Sequence, residues 1–184
     1  MRTQRRAEAG FTLIELMAVV VIVGILATLA VYSVKKYIAS SKTSEAIQMI
    51  GSIKAAEETF KDETFAYLGP SPDLSAASFY PNNSLPGRAK MNWGGTGVGS
   101  TQWAQLAIKS TTPLLFTYAC VAGADGATVP SPSNNSGDIT IGNWPTAVSG
   151  PFYVVKARAD LRGDGVMTVF VSSSFSGDIY AANN

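Results

Sequence analysis

Histidine is absent from this sequence and cysteine occurs once, at Cys120. Ser/His/Asp triads, Cys/His nucleophile pairs and histidine or multi-cysteine zinc sites are therefore excluded. A lone cysteine cannot close an intramolecular disulfide. Because Cys120 lies in the apolar run Leu114 to Val121, it is expected to be a small buried hydrophobe and not a reactive thiol. Helix breakers are missing from the first 68 residues almost completely: all nine prolines and fourteen of the seventeen glycines stand at or after Gly69. The composition thus changes once, and one head domain is expected after a long helix-permissive segment.

Charge is scarce and balanced. The formal net charge is +1, and without residues 1–10 the chain has eleven basic against twelve acidic residues. From Pro70 onward six of each remain. A near-neutral head lacks the basic stripe that nonspecific nucleic-acid binding needs, so nucleic acid is an unlikely partner. No spacing recommends Asp or Ser chemistry without histidine; no enzyme activity and no cofactor are expected.

From Leu16 to Val34 only Thr28, Tyr32 and Ser33 carry polar atoms. Counted from Phe11, this stretch is long enough to cross a bilayer as a helix, which takes about 20 residues. A secretory signal would have a shorter apolar region followed by small residues; here the small residues come first. Beyond Lys35 and Lys36, apolar side chains recur at Ala46, Met49, Ile50, Ile53, Ala56 and Phe60, the spacing of one helix face. Lys42, Glu45, Lys54, Glu57, Glu58 and Lys61 are read as largely on the other faces. One helix is predicted from about Phe11 to Thr64, its Ile50, Ile53 and Phe60 stripe packing under a sheet.

After Gly69-Pro70 the sequence is rich in Ser, Asn, Gly and Pro, and its backbone is not predictable. Strand signals return at Leu114 to Val121, Phe152 to Ala159, Val166 to Ser172 and Gly177 to Ala181. They are rich in Val, Phe, Tyr and Thr, and short links between the last three imply an antiparallel meander. The expected fold is α+β.

The residues Gly10-Phe11-Thr12-Leu13-Ile14-Glu15-Leu16, preceded by Arg5-Arg6 and followed by the apolar run, resemble the processing site of type IV pilins and type II secretion pseudopilins. The resemblance is close over roughly residues 5–30. It implies a leader, 1–10, cut between Gly10 and Phe11 by prepilin peptidase, with N-methylation of Phe11. It implies a filament-core helix, 11–34, its amphipathic continuation, 35–65, a variable loop-rich part of the head, 66–150, and a C-terminal meander, 151–184. Assembly is assigned to Phe11, Thr12 and Glu15, the carboxylate meeting the Phe11 amine of an adjacent subunit. Independently, a carboxylate in an apolar helix costs roughly 2.5–3.5 kcal/mol on insertion scales unless it finds a partner or a protonated state; snorkelling at the interface is the other reading.

The implied partners are other pilins in a homo- or hetero-polymer, the peptidase, an inner-membrane assembly platform and the membrane. Charge counting leaves orientation open, with Arg2, Arg5 and Arg6 balanced by Lys35, Lys36 and Lys42. The resemblance implies an inner-membrane precursor with a periplasmic head, then a cell-surface filament of the kind used in adhesion, motility or protein secretion. A pilin, major or minor, is the first reading. A secretion pseudopilin is the second, and a minor pilin acting as a tip adhesin or DNA-binding module the third.

Two departures bear on that choice. Tyr32 stands where many pilins carry a proline that lets the helix unwind, so the helix is expected to stay more continuous, with any break near Gly24 to Ala30. The turn Asp160 to Gly165 resembles calcium loops of some major pseudopilins, but Arg162 occupies a ligand position. Asp160 and Asp164 are weak metal candidates, and a plain turn between strands is expected.

Overall fold

A computed structural model of the chain describes residues 12–82, 89–133 and 139–183. Gly10 and Phe11, the expected cut site, lie outside them. The chain divides into two compact units, 1–38 and 39–184.

Helix α1, Leu13–Thr64, contributes to both. It is unbroken through Gly24 and Tyr32, as a stretch without proline allows. In the first unit its segment Leu13–Val34, 22 residues, is apolar and exposed throughout. At about 1.5 Å per residue it is long enough for a hydrocarbon core of about 30 Å. The helix stops where Phe65 turns left-handed (φ 64°) and its N–H bonds the Lys61 carbonyl at 2.7 Å.

In the second unit four antiparallel strands form a sheet in chain order: β1, Thr117–Gly123; β2, Phe152–Ala159; β3, Thr168–Ser173; β4, Ile179–Ala182. Register pairs Cys120 with Val155, Ala157 with Phe170, and Val171 with Tyr180. Strand alternation then sends Tyr118, Cys120, Tyr153, Val155, Ala157 and Phe170 to one face. There they close a core with Ala46, Met49, Ile50 and Ile53 of α1, with Ala56 and Phe60 at its margin. The expected helix stripe and the meander are both borne out.

The opposite face is not left to water. Leu74, Phe79, Val129 and Ile139 cover Ala119, Phe152, Val154, Val169 and Val171 in a second core. All eight residues of β2 are buried. The stretch after Gly69, whose backbone the sequence does not predict, thus supplies this second cover, with the short helical turn Ala76–Ser78, and also adds Tyr80, Trp103 and Leu106 to the first core, Trp103 from α2, Ser100–Gln105. Two buried cations reach up from β2 into this layer. Lys156 Nζ donates to the Pro132 carbonyl at 2.7 Å. An Arg158 guanidinium nitrogen donates to the Ala76 carbonyl at 2.9 Å, and the group lies 4.1 Å from the Phe79 ring centroid.

Candidate functional site

At the start of α1, Thr12 and Glu15 form a reciprocal cap. The Glu15 amide donates to Thr12 Oγ1 at 3.3 Å, while Glu15 Oε2 accepts from the Thr12 amide at 2.9 Å and from its hydroxyl at 2.6 Å. This is a capping box: the first turn of a helix has amides without intrahelical acceptors, and a residue three positions on returns to satisfy one. The Thr12 amide is thereby satisfied within the chain, and the carboxylate is held against its own helix end. Of the residues the sequence assigns to assembly, Thr12 and Glu15 are brought together.

Asp160 and Asp164 lie in the turn from β2 to β3. Asp160 accepts from the Gly163 amide at 2.5 Å and the Gly165 amide at 3.0 Å, one on each oxygen. Asp164 accepts from the Val166 amide at 2.9 Å. Both carboxylates brace the turn's own backbone. Among the described residues no group of three or more His, Cys, Asp or Glu side chains is placed to hold a metal ion.

The sequence at the N-terminus has counterparts in known proteins. Residues 5–31 match the prokaryotic N-terminal methylation motif. The chain is 31% identical over 144 residues to fimbrial protein EcpC of Eikenella corrodens, covering 72% of this chain and 94% of that protein. It is 34% identical over 148 residues to type II secretion system core protein G of Pseudomonas aeruginosa, covering 77% and 98%. It belongs to the type IV pilin and pseudopilin family. Against type IV major fimbrial protein FimA of Dichelobacter nodosus the identity is 48%, but over 52 residues, 28% of this chain and 33% of that one. No solved structure matches. These relatives are pilus and secretion-system proteins, and this chain is likewise a pilin-like structural subunit.

In this pilin-like subunit two further carboxylates fix the head to its helix, and the sequence reading misplaces one of them. Glu57, expected away from the apolar face, is fully buried. It lies seven residues beyond Ile50 and four beyond Ile53, so the helical period itself puts it on that face. Its oxygens accept from the amides of Leu68 at 2.8 Å and Gly69 at 3.1 Å and from the Cys120 thiol at 3.3 Å. Burial raises its pKa, opposed by the Leu68 amide, the Cys120 thiol and the Gly69 amide. Cys120 is buried as expected, yet it is a hydrogen-bond donor as well as a small hydrophobe. Burial, then the neighbouring Glu57, pushes the thiol well up, which keeps it protonated. Gly69 is required here: its φ is 55° and a Cβ would run into the Ala122 backbone. Twelve residues earlier in the chain, Glu45 Oε1 accepts from the amides of Leu115 at 2.6 Å and Phe116 at 3.3 Å. Both are amides of the segment that leads into β1.

Proposed function

We propose that the chain is a type IV pilus subunit, made as a precursor whose leader is cut between Gly10 and Phe11 and whose new Phe11 amine is methylated. In the precursor the Leu13–Val34 segment of α1 crosses the inner membrane with the head on the periplasmic side. In the filament the α1 helices pack in parallel, and Glu15 pairs with the Phe11 amine of an adjacent copy. The single observation that carries this reading is the Thr12–Glu15 cap at the end of 22 exposed apolar residues. The cap spends Oε2 on the chain's own amide and hydroxyl, which lowers the cost of a carboxylate in an apolar setting, and the adjacent amine supplies the opposite charge. The loops after Gly69 support a shaft position over a free binding appendage, because so many of their apolar residues are committed to the sheet.

The test is replacement of Glu15 by valine. Membrane insertion should be retained, since the helix becomes more apolar. Leaving an ammonium without its partner costs about 3–5 kcal/mol, so filament yield in sheared fractions should fall by at least about a hundredfold. Filaments in normal number would end the pairing. Mass spectrometry of wild-type filaments should find methylated Phe11 as the first residue.

The match that spans 98% of a type II secretion core protein supports a second reading, a pseudopilin. Abundance decides between them: a pilus subunit dominates the sheared surface fraction, and a pseudopilin stays with the cell envelope.

A further inference from the structure

Phe65 takes the first position after α1, where a helix that ends in the left-handed conformation ordinarily has glycine, and its φ is 64°. A side chain with a Cβ disfavours that conformation roughly fivefold or more. The strain brings no burial in return: at 88% exposure Phe65 is the most exposed large hydrophobic side chain among the described residues.

The ring is one wall of a cleft of about 440 Å³, lined also by Tyr67, Leu68, Ala122, Asp125 and Pro151. Asp125 is exposed, and its Oδ1 accepts from the Gly150 amide at 2.7 Å. Glu58, Asp62 and Glu63 stand exposed on the last turns of α1, where the helix's own carbonyl ends add negative potential. Lys61, the one lysine of those turns, is held by the Tyr67 hydroxyl at 3.0 Å and by Glu58 at 4.0 Å. An aromatic wall beside a carboxylate suits a guanidinium, which can stack on the ring while it pairs with the charge.

The opposite end of the head has the complementary chemistry. Glu45 bonds the Leu115 and Phe116 amides and Glu57 bonds Cys120, so α1 runs alongside β1 in the same direction. Thr117 pairs with Arg158, which puts the turn from β2 to β3 at the end away from Phe65. Arg162, in the middle of that turn, is exposed, as are Lys90 and Lys109 near the start of β1. The acids of this end, Glu45, Asp160 and Asp164, each accept from backbone amides instead.

We infer that this turn of a second copy docks in the Phe65 cleft, its Arg162 guanidinium stacking on the Phe65 ring and pairing with Asp125. The contact joins unlike ends, so it repeats from copy to copy and builds an open chain, not a closed dimer. The inference rests on the filament reading, in which parallel α1 helices give every head the same polarity, and deepens it by assigning a contact between heads to named groups.

The experiment uses the full chain in cells that make its filaments. Phe65→Gly should raise the folding equilibrium in detergent roughly fivefold, because the strain is relieved, yet cut filament yield about tenfold by removing the ring. Arg162→Asp and Asp125→Arg should each lower the yield about tenfold or more. The two together in one chain should return it to within about threefold of wild type, because the pair re-forms with its ends exchanged. Normal yield from Phe65→Gly overturns the inference, and that arm does not depend on whether Asp125→Arg loses its brace on Gly150. A double charge variant no better than the worse single overturns it as well. If Phe65→Gly and Asp125→Arg cut the yield while Arg162→Asp does not, a different subunit fills the cleft and the inference is wrong. Wild-type cells that make no filaments would sink the filament reading together with it, whereas wild-type filaments indifferent to Phe65→Gly would sink the inference alone.

Discussion

The first unit and the head solve the same problem in opposite ways. In the head, α1 takes one face of the sheet together with Tyr80, Trp103 and Leu106, and Leu74, Phe79, Val129 and Ile139 cover the other, so apolar burial is completed within the chain. In the segment Leu13–Val34 every residue is exposed, and burial must come from outside, first from lipid and then from other copies. A single helix is therefore finished at one end and unfinished at the other. The difference teaches where stability and assembly each reside: substitutions in the head act on folding, and substitutions in the first unit act on association.

The strongest way to break that division is to truncate equivalent aliphatic residues on the two sides. Ile53→Ala removes a fully buried side chain from the core beneath β1 and β2, and should cost about 2–5 kcal/mol of head stability in detergent. Val20→Ala should change that stability by less than about 0.5 kcal/mol while reducing filament yield. Equal effects on unfolding would mean that the two units do not divide the work.

A smaller effect is expected at Glu57. Glu57→Gln keeps the volume but turns an amide NH2 toward at least one of the donors at Leu68, Gly69 and Cys120. One stranded donor should cost about 1–3 kcal/mol, measured by denaturant unfolding. An unchanged midpoint would show that the three donors find other acceptors.

The smallest effect is the pH dependence carried by the same residue. Its folded pKa is raised above the ordinary 4.5, so its favourable contribution is complete below the ordinary glutamate range and is lost as pH climbs through the raised value. Wild type should therefore lose stability relative to Glu57→Gln as pH rises above the ordinary 4.5, and the difference between the two curves isolates this group from the other carboxylates. A difference that grows in favour of wild type as pH rises would reverse the sign.

Much of this was legible in the sequence, for physical reasons that can be named. The Ala46 to Phe60 stripe follows the helical period, and the strands are short apolar runs between turn residues, so helix, meander and α+β class all follow. Lys156 and Arg158 stand at alternate positions of β2, where they imitate the polar face of a half-exposed strand. Their charges are instead spent on carbonyls of the covering layer. That layer escapes periodicity altogether, since Leu74, Phe79, Val129 and Ile139 are scattered through Ser-, Asn- and Pro-rich sequence. At the N-terminus the Thr12-x-x-Glu15 spacing was read for its motif, and the same spacing is also the local signature of a helix cap.

The moorings of the covering layer have one more consequence. Lys156 and Arg158 hold Pro132 and Ala76 by their carbonyl oxygens, and every amino acid has a carbonyl oxygen. The side chains at those two positions are not what the sheet grips. A lineage under pressure to alter its outer coat can rewrite such loops letter by letter, because the two anchor points read the backbone and are blind to the alphabet.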